Sequence, residues 1–380
     1  MIHTLKSKKL DYNICIIGGG NIGTLLLADL SQKASVRLLT SKPERWNKKV
    51  DVYDSKENYK YSGNIDIISS NPKDVIPDAD IIISTLPSHV FKNAFDSIKP
   101  FINQNAWIGS MPGSGGSEFY IKDSLKNNQV IFGFQRVHGI SRIREYGRSV
   151  YDLGKKTELY IGAIPSAIAP IISKEMEELI DIPCFSLPNY LTITLTPSNP
   201  ILHTSRLYSL FKNYKETKWN SNVLFYGEWD NISSETLFGA DSELQMLCQK
   251  IEGIDLSSVK SLKEHYESQT VAELTNKITS IEAFKNIEAP MIKENGYFYP
   301  DFNSRYFKED FPFGLCILKS FCYLLNVKTP VFDRILHWYE SISGQEFYKD
   351  GKFVGESLAE LFIPQNFGIN NLSDIYEFYN

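Results

Sequence analysis

The sequence predicts an α/β chain in two parts, a doubly wound, mostly parallel sheet followed by an all-α domain. Three observations predict it. Short β-branched runs alternate with helical patterns through the first half. A glycine-rich turn, Gly18-Gly19-Gly20-Asn21-Ile22-Gly23, separates the first such run from the first helical pattern. Beyond about residue 190 strand signals nearly vanish and long apolar-periodic segments take over. The expected domains are 1–188 and 189–380.

Taken in order, Asn13–Ile17 reads as a buried strand, and Ile22 to Gln32 as an apolar helix with Ile22, Leu25, Leu26, Leu27 and Leu30. Ser35–Leu39 reads as the second strand. Ile65–Ser69, Ala79–Ser84, Trp107–Gly109, Val130–Gly133 and Thr157–Gly162 continue the strand series. Ala163–Cys184 is one more helical excursion, between Pro165 and Pro183. In the second half, Thr236–Ile251, Val271–Phe284, Gly314–Leu325 and Val331–Tyr339 all carry apolar residues at helical spacing.

Forty Lys+Arg against forty-five Asp+Glu leave a net charge of −5, which gives no reason to expect a nucleic-acid partner. The apolar fraction is 42% and the charged fraction 22%, ordinary for a soluble globular chain and unlike a disordered or collagenous one. The five cysteines (Cys15, Cys184, Cys248, Cys316, Cys322) are scattered and form no CxxC pair. Reduced thiols in the cytoplasm are therefore expected, without structural zinc. Residues 1–12 contain no apolar run, and the most apolar stretches, such as Ile14–Ile17, fall far short of the ~20 residues of a membrane span. No membrane association is expected.

The glycine turn matches G-x-G-x-x-G between a strand and an apolar helix, which is the context of the dinucleotide-binding fingerprint of a Rossmann domain. Gly18 serves the tight turn, and Gly20 leaves room for a pyrophosphate. Gly23 lets helix and strand approach, and Asn21 and Ile22 open the helix whose N–H groups face the anion. At the end of the second strand, Thr40-Ser41-Lys42-Pro43-Glu44-Arg45 has no acidic residue directly at the strand end. Ser41, Lys42 and Arg45 could hold a 2′-phosphate, which favours NADP(H). The alternative is a solvated loop whose Glu44 or backbone accepts NAD(H). Thr85-Leu86-Pro87-Ser88-His89 follows a buried strand where the chain should pass the nicotinamide, with Leu86 and Pro87 as cofactor contacts. His89 reads as a loop or packing residue rather than a catalyst.

Two segments of the second half stand out: Ser198-Asn199-Pro200-Ile201-Leu202-His203-Thr204, and Arg305-Tyr306-Phe307-Lys308-Glu309-Asp310-Phe311-Pro312-Phe313-Gly314. A His and an Asp from distant segments can form a proton-donating pair, the carboxylate fixing the imidazole tautomer. An Arg five residues before that Asp can take a substrate carboxylate in a two-pronged grip. By spacing alone, a single histidine in a helix is structural more often than catalytic.

These two segments, with the stretch from Asn326 to Trp338, resemble the signature segments of the octopine/nopaline (opine) dehydrogenase family. The first half agrees, from the glycine turn through residues 84–91 and 111–116 to 155–162, so the resemblance spans essentially the whole chain. It implies a Rossmann domain followed by an all-α opine-dehydrogenase domain, with the active site in the cleft between them. It also implies reductive condensation of an amino acid's amino group with a 2-oxo acid, commonly pyruvate, using NADH or NADPH. His203 falls on the family's catalytic histidine, Asp310 on its partner, and Arg305 on the arginine associated with the oxo-acid carboxylate. The family includes monomers and dimers, and a homodimer is the expectation here.

Several residues stay outside this pattern. Residues 205–235 show no recognisable motif, and the turn Met111–Gly116 cannot be matched to amino-acid-binding positions. His138 reads as part of a surface turn, with a substrate role as the alternative. Asp241 and Glu243 read as a solvated helix face, the alternatives being to orient the second domain or bind an amino group. Two other functions compete: a 2-oxo acid or hydroxyacid reductase, and a nicotinamide-binding sensor without activity.

Overall fold

The computed structural model describes residues 10–125, 129–197 and 199–379. Residues 1–9, part of the N-terminal stretch read above, and Ser198 lie outside the described residues. The chain divides into two compact units, one running to Thr194 and taking in Tyr379, the other Leu195–Phe378.

In the first unit the strands are β1 (Asn13–Ile17), β2 (Ser35–Leu39), β3 (Lys49–Tyr53), β4 (Tyr59–Asn64), β5 (Ile67–Ser69), β6 (Ile81–Ser84), β7 (Trp107–Ser110), β8 (Ile131–Phe134), β9 (Gly139–Glu145), β10 (Ser149–Lys155), β11 (Leu159–Ile164) and β12 (Cys184–Ser186). The helices are α1 (Asn21–Leu30), α2 (Ser88–Ile98), α3 (Ser117–Leu125), α4 (Ala169–Ile180) and α5 (Leu191–Thr194). Eight strands form one sheet in the order β12-β11-β8-β7-β6-β1-β2-β5. All neighbours run parallel except β11 and β8. The central strands are apolar on both faces: Ile14, Ile16, Ile81 and Ile83 are buried on one and Cys15 and Ile82 on the other, as a sheet covered by helices on each side requires. Strand order reverses around β1, so the turns leaving β1 and β6 sit side by side at the carboxyl end of the sheet, where open α/β sheets bind ligands.

A second, four-stranded sheet, in the order β4-β3-β10-β9, was not expected from the sequence. Its strands are only half buried. In β3 the buried residues are Val50 and Val52, alternating with Lys49, Asp51 and Tyr53. That period of two carries the strand signal without a continuous apolar run. The sheet is fastened to α1 through buried Asp29, which receives a hydrogen bond from Lys155 Nζ at 2.8 Å and one from the Tyr61 hydroxyl. His138 Nε2 stands 3.2 Å from the same carboxylate. His138 is thus fully buried in a structural cluster and is not part of a surface turn.

The segment read as one helix from Ala163 to Cys184 resolves into the end of β11, a turn, α4 and β12. Asp181, in the left-handed region at φ 54°, stops the helix. The first unit continues through α5 to Thr194, because α5 and its neighbours are fastened to the sheet side. The Tyr190 hydroxyl donates to Gly113 O at 2.8 Å, and Thr194 Oγ1 donates to Glu118 Oε1 at 2.6 Å. The Tyr379 hydroxyl reaches the same Glu118 oxygen at 3.1 Å.

The second unit contains α6 (Asn199–Phe211), α7 (Asn231–Lys250), α8 (Leu262–His265), α9 (Val271–Ser280), α10 (Arg305–Asp310), α11 (Cys316–Leu324), α12 (Pro330–Ser343) and α13 (Leu372–Tyr379). Its regular elements are mostly helical, and it also carries a hairpin of β13 (Met291–Glu294) and β14 (Tyr297–Pro300). Asn295 and Gly296 join the strands at φ 49° and 86°, the conformation that makes Asn-Gly a two-residue hairpin turn. A π-helical turn, Phe311–Leu315, stands between α10 and α11 where a continuing helix was expected from Gly314. A Cβ on Gly314 would meet Pro200 at 3.0 Å, so the glycine lets the start of α6 approach this turn closely.

Among the described residues no helix is long and apolar enough to cross a membrane. No cluster of three or more His, Cys, Asp or Glu suited to a metal ion is found among them. The five cysteines are free thiols, four of them buried.

Candidate active site

The glycine turn of the first unit has the shape its sequence implies. Gly18 takes φ 103°, a conformation other residues adopt only under strain. A Cβ on Gly23 would lie 2.1 Å from Gly18 O, so the turn and the first helical residues touch backbone to backbone. A Cβ on Gly20, in contrast, would meet nothing within 4 Å. Gly20 is the N-cap of α1, no side chain caps that end, and no acidic residue stands in the first turn. An uncapped N-terminus of a ten-residue helix beside open space suits a pyrophosphate. The Asn21 side chain is engaged elsewhere: its Oδ1 accepts from Ile143 N of β9 at 2.8 Å. Ile22 is half-buried behind it.

The turn after β6 is locked to the glycine turn. Thr85 Oγ1 lies 3.2 Å from both Ile17 O and Gly18 O, and Leu86 packs where a Cβ on Gly18 would be. Pro87 then caps α2. His89 is exposed on the first turn of that helix. After β2, Ser41, Lys42 and Arg45 are exposed, while Trp46 is buried against Gly19, whose added Cβ would lie 2.2 Å from the indole. The Arg45 guanidinium sits 4.6 Å above the Tyr146 ring, which itself meets Trp46 edge-on. Trp46 thus supports both the glycine turn and the loop carrying the basic residues, a part that motif reading missed.

In the second unit His203 and Asp310, each less than a tenth exposed, are brought together from α6 and the end of α10. His203 Nδ1 lies 2.8 Å from Asp310 Oδ2. A carboxylate only accepts, so Nδ1 carries the hydrogen and Nε2 is the nitrogen left to exchange a proton. Nε2 lies 2.8 Å from the Tyr226 hydroxyl. The Tyr306 ring lies against the imidazole at a tilt of 53°, centroids 4.8 Å apart, and Phe225 meets it edge-on. Arg305, the residue before Tyr306, is exposed on the first turn of α10 and makes no ion pair among the described residues.

Residues 205–235, which offered no motif, supply the rest of this surround. Arg206, one turn from His203 and 1% exposed, donates to Phe225 O at 2.8 Å and to Glu228 O at 2.7 Å. It also bonds Ser233 Oγ and pairs with Asp230. Burial lowers its pKa from the usual arginine value, with Asp230 and Glu228 acting the other way. The guanidinium thus pins the loop that presents Tyr226. The visible signal was limited to an arginine three residues after the histidine and a cluster of aromatics around Gly227.

Asp241 and Glu243 are buried and do not form a solvated face. Asp241 Oδ2 accepts from Leu262 N at 2.8 Å, at the start of α8. Glu243 accepts from Val331 N at 2.6 Å and Phe332 N at 3.0 Å, capping α12 across the unit. Burial raises their carboxyls to about 6 and about 7, against the pull of these N–H groups. They are framework residues.

Comparison with known proteins agrees with both halves. Residues 186–343 match the family model "NAD/NADP octopine/nopaline dehydrogenase, alpha-helical domain". Residues 14–166 match the ketopantoate reductase PanE/ApbA model. A tauropine dehydrogenase of Arabella iricolor is 26% identical, over 95% of this chain and 99% of its own. The octopine dehydrogenase of Pecten maximus is also 26% identical, over 95% and 98%. A solved octopine dehydrogenase with NADH and L-arginine superposes with a TM-score of 0.84 at 25% identity, covering 95% of this chain and 97% of that one. The glycine turn, the helical unit and the likeness along almost the whole length agree: residues 186–343 carry the helical domain of the octopine/nopaline (opine) dehydrogenase family, and the findings support that family, NAD(P)-dependent oxidoreductases acting on CH–NH bonds, for the chain.

Proposed function

We propose that this chain condenses the amino group of an amino acid with a 2-oxo acid, pyruvate first among them, and reduces the resulting imine to an N-(carboxyalkyl) amino acid. The observation that carries the residue roles is the buried His203–Asp310 pair at 2.8 Å. With Nδ1–H held by Asp310, neutral His203 takes a proton at Nε2 from the substrate ammonium, freeing the nitrogen lone pair to attack the carbonyl carbon. A C–N bond forms and the proton on that nitrogen moves to the oxygen, giving a carbinolamine. His203 then returns its proton to the hydroxyl, which leaves as water while the nitrogen lone pair closes the C=N bond. When bound, the reduced nicotinamide supplies the hydride that completes the reduction. The product amine takes up one proton from solution. Arg305, exposed at the head of α10, holds the oxo-acid carboxylate and orients the reacting carbon.

The glycine turn (Gly18, Gly20, Asn21, Ile22, Gly23) and the Leu86–Pro87 turn hold the dinucleotide. Ser41, Lys42 and Arg45 favour NADP(H), since the strand end they follow lacks a carboxylate to bind the ribose 2′-OH. The free thiols support a cytoplasmic setting.

NADPH and NADH oxidation with pyruvate and a panel of twenty amino acids, with the product identified by mass spectrometry, tests the proposal. Oxidation that requires both substrates supports it. Oxidation with the oxo acid alone would mean a hydroxyacid reductase, and cofactor binding without turnover would mean a sensor.

A further inference from the structure

We propose that Tyr226 is a third member of the His203–Asp310 pair, its hydroxyl passing the proton between His203 Nε2 and the reacting substrate atoms. The inference rests on the opine-forming reaction proposed above. Because Asp310 occupies Nδ1, every proton that His203 exchanges must cross Nε2, and Nε2 is 2.8 Å from the Tyr226 hydroxyl. His203 is 6% exposed and Tyr226 5%, so a substrate oxygen reaches Nε2 either by expelling Tyr226 or through it. Expulsion is opposed by packing. The Tyr226 ring stacks on Phe284 at 4.4 Å and 21°, and lies nearly parallel to Trp229 at 6.1 Å. The carbonyls of Phe225 and Glu228, on either side of it, are held by the buried guanidinium of Arg206.

The relay balances. In the dehydration step the carbinolamine oxygen takes the phenolic proton, and Tyr226 regains one from imidazolium Nε2. The C–O bond breaks, water departs, and the nitrogen lone pair forms C=N. In the opposite direction the substrate ammonium gives its proton to the Tyr226 oxygen as the phenolic proton moves to Nε2. Tyr226 works throughout as a neutral hydroxyl. Burial holds its pKa well above the ordinary tyrosine value, and Tyr306, Tyr266 and Asp310, the other titratable groups around it, push the same way. A hydroxyl donates and accepts at once, which a carboxylate or an ammonium in that position would not do at constant charge.

The test is Tyr226→Phe, which keeps the ring stack and removes the hydroxyl. Expected are a fall in kcat of about 10²-fold, KM for both substrates within about threefold, and unchanged dinucleotide binding. The wild-type rate in H₂O/D₂O mixtures should curve as two protons move together, and that of the variant should become linear. Unchanged kcat, or an unchanged isotope response, would overturn the relay. A readout independent of turnover is the ¹⁵N resonance of His203 Nε2, expected to move toward that of a nitrogen without a donor in Tyr226→Phe. An unmoved resonance also overturns the inference. If Tyr226→Phe fails to fold, 3-fluorotyrosine at position 226 keeps the ring and the hydroxyl with a more acidic proton, and should change kcat and its solvent isotope effect with KM little altered. An unchanged kcat and isotope effect count against the relay. Wild-type protein with no turnover on any substrate pair would instead refute the opine reaction, leaving the Tyr226–His203 link to the resonance measurement.

Discussion

Asp310 Oδ2 accepts the Nδ1 proton of His203 at 2.8 Å although 107 residues separate them in the chain. Two features of the second unit make that distance possible: Gly314, which admits Pro200 of α6, and the π-helical turn that follows Asp310. Extra-residue turns of this kind re-aim neighbouring side chains and recur at functional sites.

Asp310→Asn should therefore cost activity out of proportion to stability. The amide keeps the volume but lacks the charge, and its NH₂ can turn the imidazole to the wrong tautomer. A fall in kcat of about 10²–10⁴-fold is expected, with Tm and dinucleotide affinity close to wild type. His203→Ala should likewise abolish turnover and spare dinucleotide binding. Steady-state kinetics beside cofactor titration checks both, and wild-type kcat in either variant would refute the assignment.

Glu118 makes the stability of the first unit depend on pH. Its carboxyl is fully buried, Oε1 is bonded by Thr194 and Tyr379, and Oε2 has no partner among the described residues. Burial raises its pKa from 4.5 to about 7. A carboxyl whose folded pKa is raised binds more protons folded than unfolded between those values. Stability is therefore fully present below about 4.5 and is lost as pH rises through about 7. Over that window the loss is on the order of 3 kcal/mol. Glu118→Gln, neutral at every pH, should flatten the decline and unfold at higher denaturant than wild type at pH 8. An identical pH profile for the two proteins would refute it.

Glu243 is expected to matter to the second unit as a cap. It satisfies two of the orphan N–H groups at the start of α12. Glu243→Ala leaves both buried and unpaired, with an expected loss of about 1–3 kcal/mol. Glu243→Gln keeps one acceptor and should lose less. Thermal unfolding distinguishes the two, and equal Tm values for Ala and wild type would show that water replaces the cap.

Legibility in the sequence followed how locally each feature is encoded. The strands of the large sheet were readable because burial on both faces makes them continuous apolar runs, as in β1 and β6. The smaller sheet escaped notice because one face is wet, so Val50 and Val52 appear singly among charges. His203, Asp310 and Arg305 were visible through their flanking segments, whereas Tyr226 was not. The loop that carries it is held by Arg206 reaching over from α6, a relation with no spacing rule. Asp241 and Glu243 were misread for the same reason: a carboxylate midway along a helix looks solvated until the backbone it bonds is known.

The basic loop after β2 makes cofactor preference testable. Lys42 and Arg45 are exposed, and Arg45 is steadied on Tyr146. If they hold a 2′-phosphate, Lys42→Ala and Arg45→Ala should each raise KM for NADPH about tenfold or more and leave KM for NADH unchanged. Parallel changes for both cofactors would assign the loop to general packing, and an initial preference for NADH would reverse the proposal.

Gly20 and Gly23 at the helix entrance separate binding from folding. Gly20 has φ −82°, and a Cβ there meets nothing, so Gly20→Ala should fold with an unchanged Tm. The added methyl would occupy the open space proposed for the pyrophosphate, and dinucleotide affinity should fall by about tenfold or more. Gly23→Ala is expected to behave in the opposite order. Its Cβ would lie 2.1 Å from Gly18 O and 2.7 Å from Thr85 Oγ1, so the helix must back away from the turn. Overpacking of this kind costs about 1–3 kcal/mol, and Tm should drop even without cofactor. Fluorescence titration with NADPH and thermal unfolding of both apoproteins check the pair. Full affinity in Gly20→Ala would place the pyrophosphate elsewhere, because no other feature of that substitution disturbs the protein.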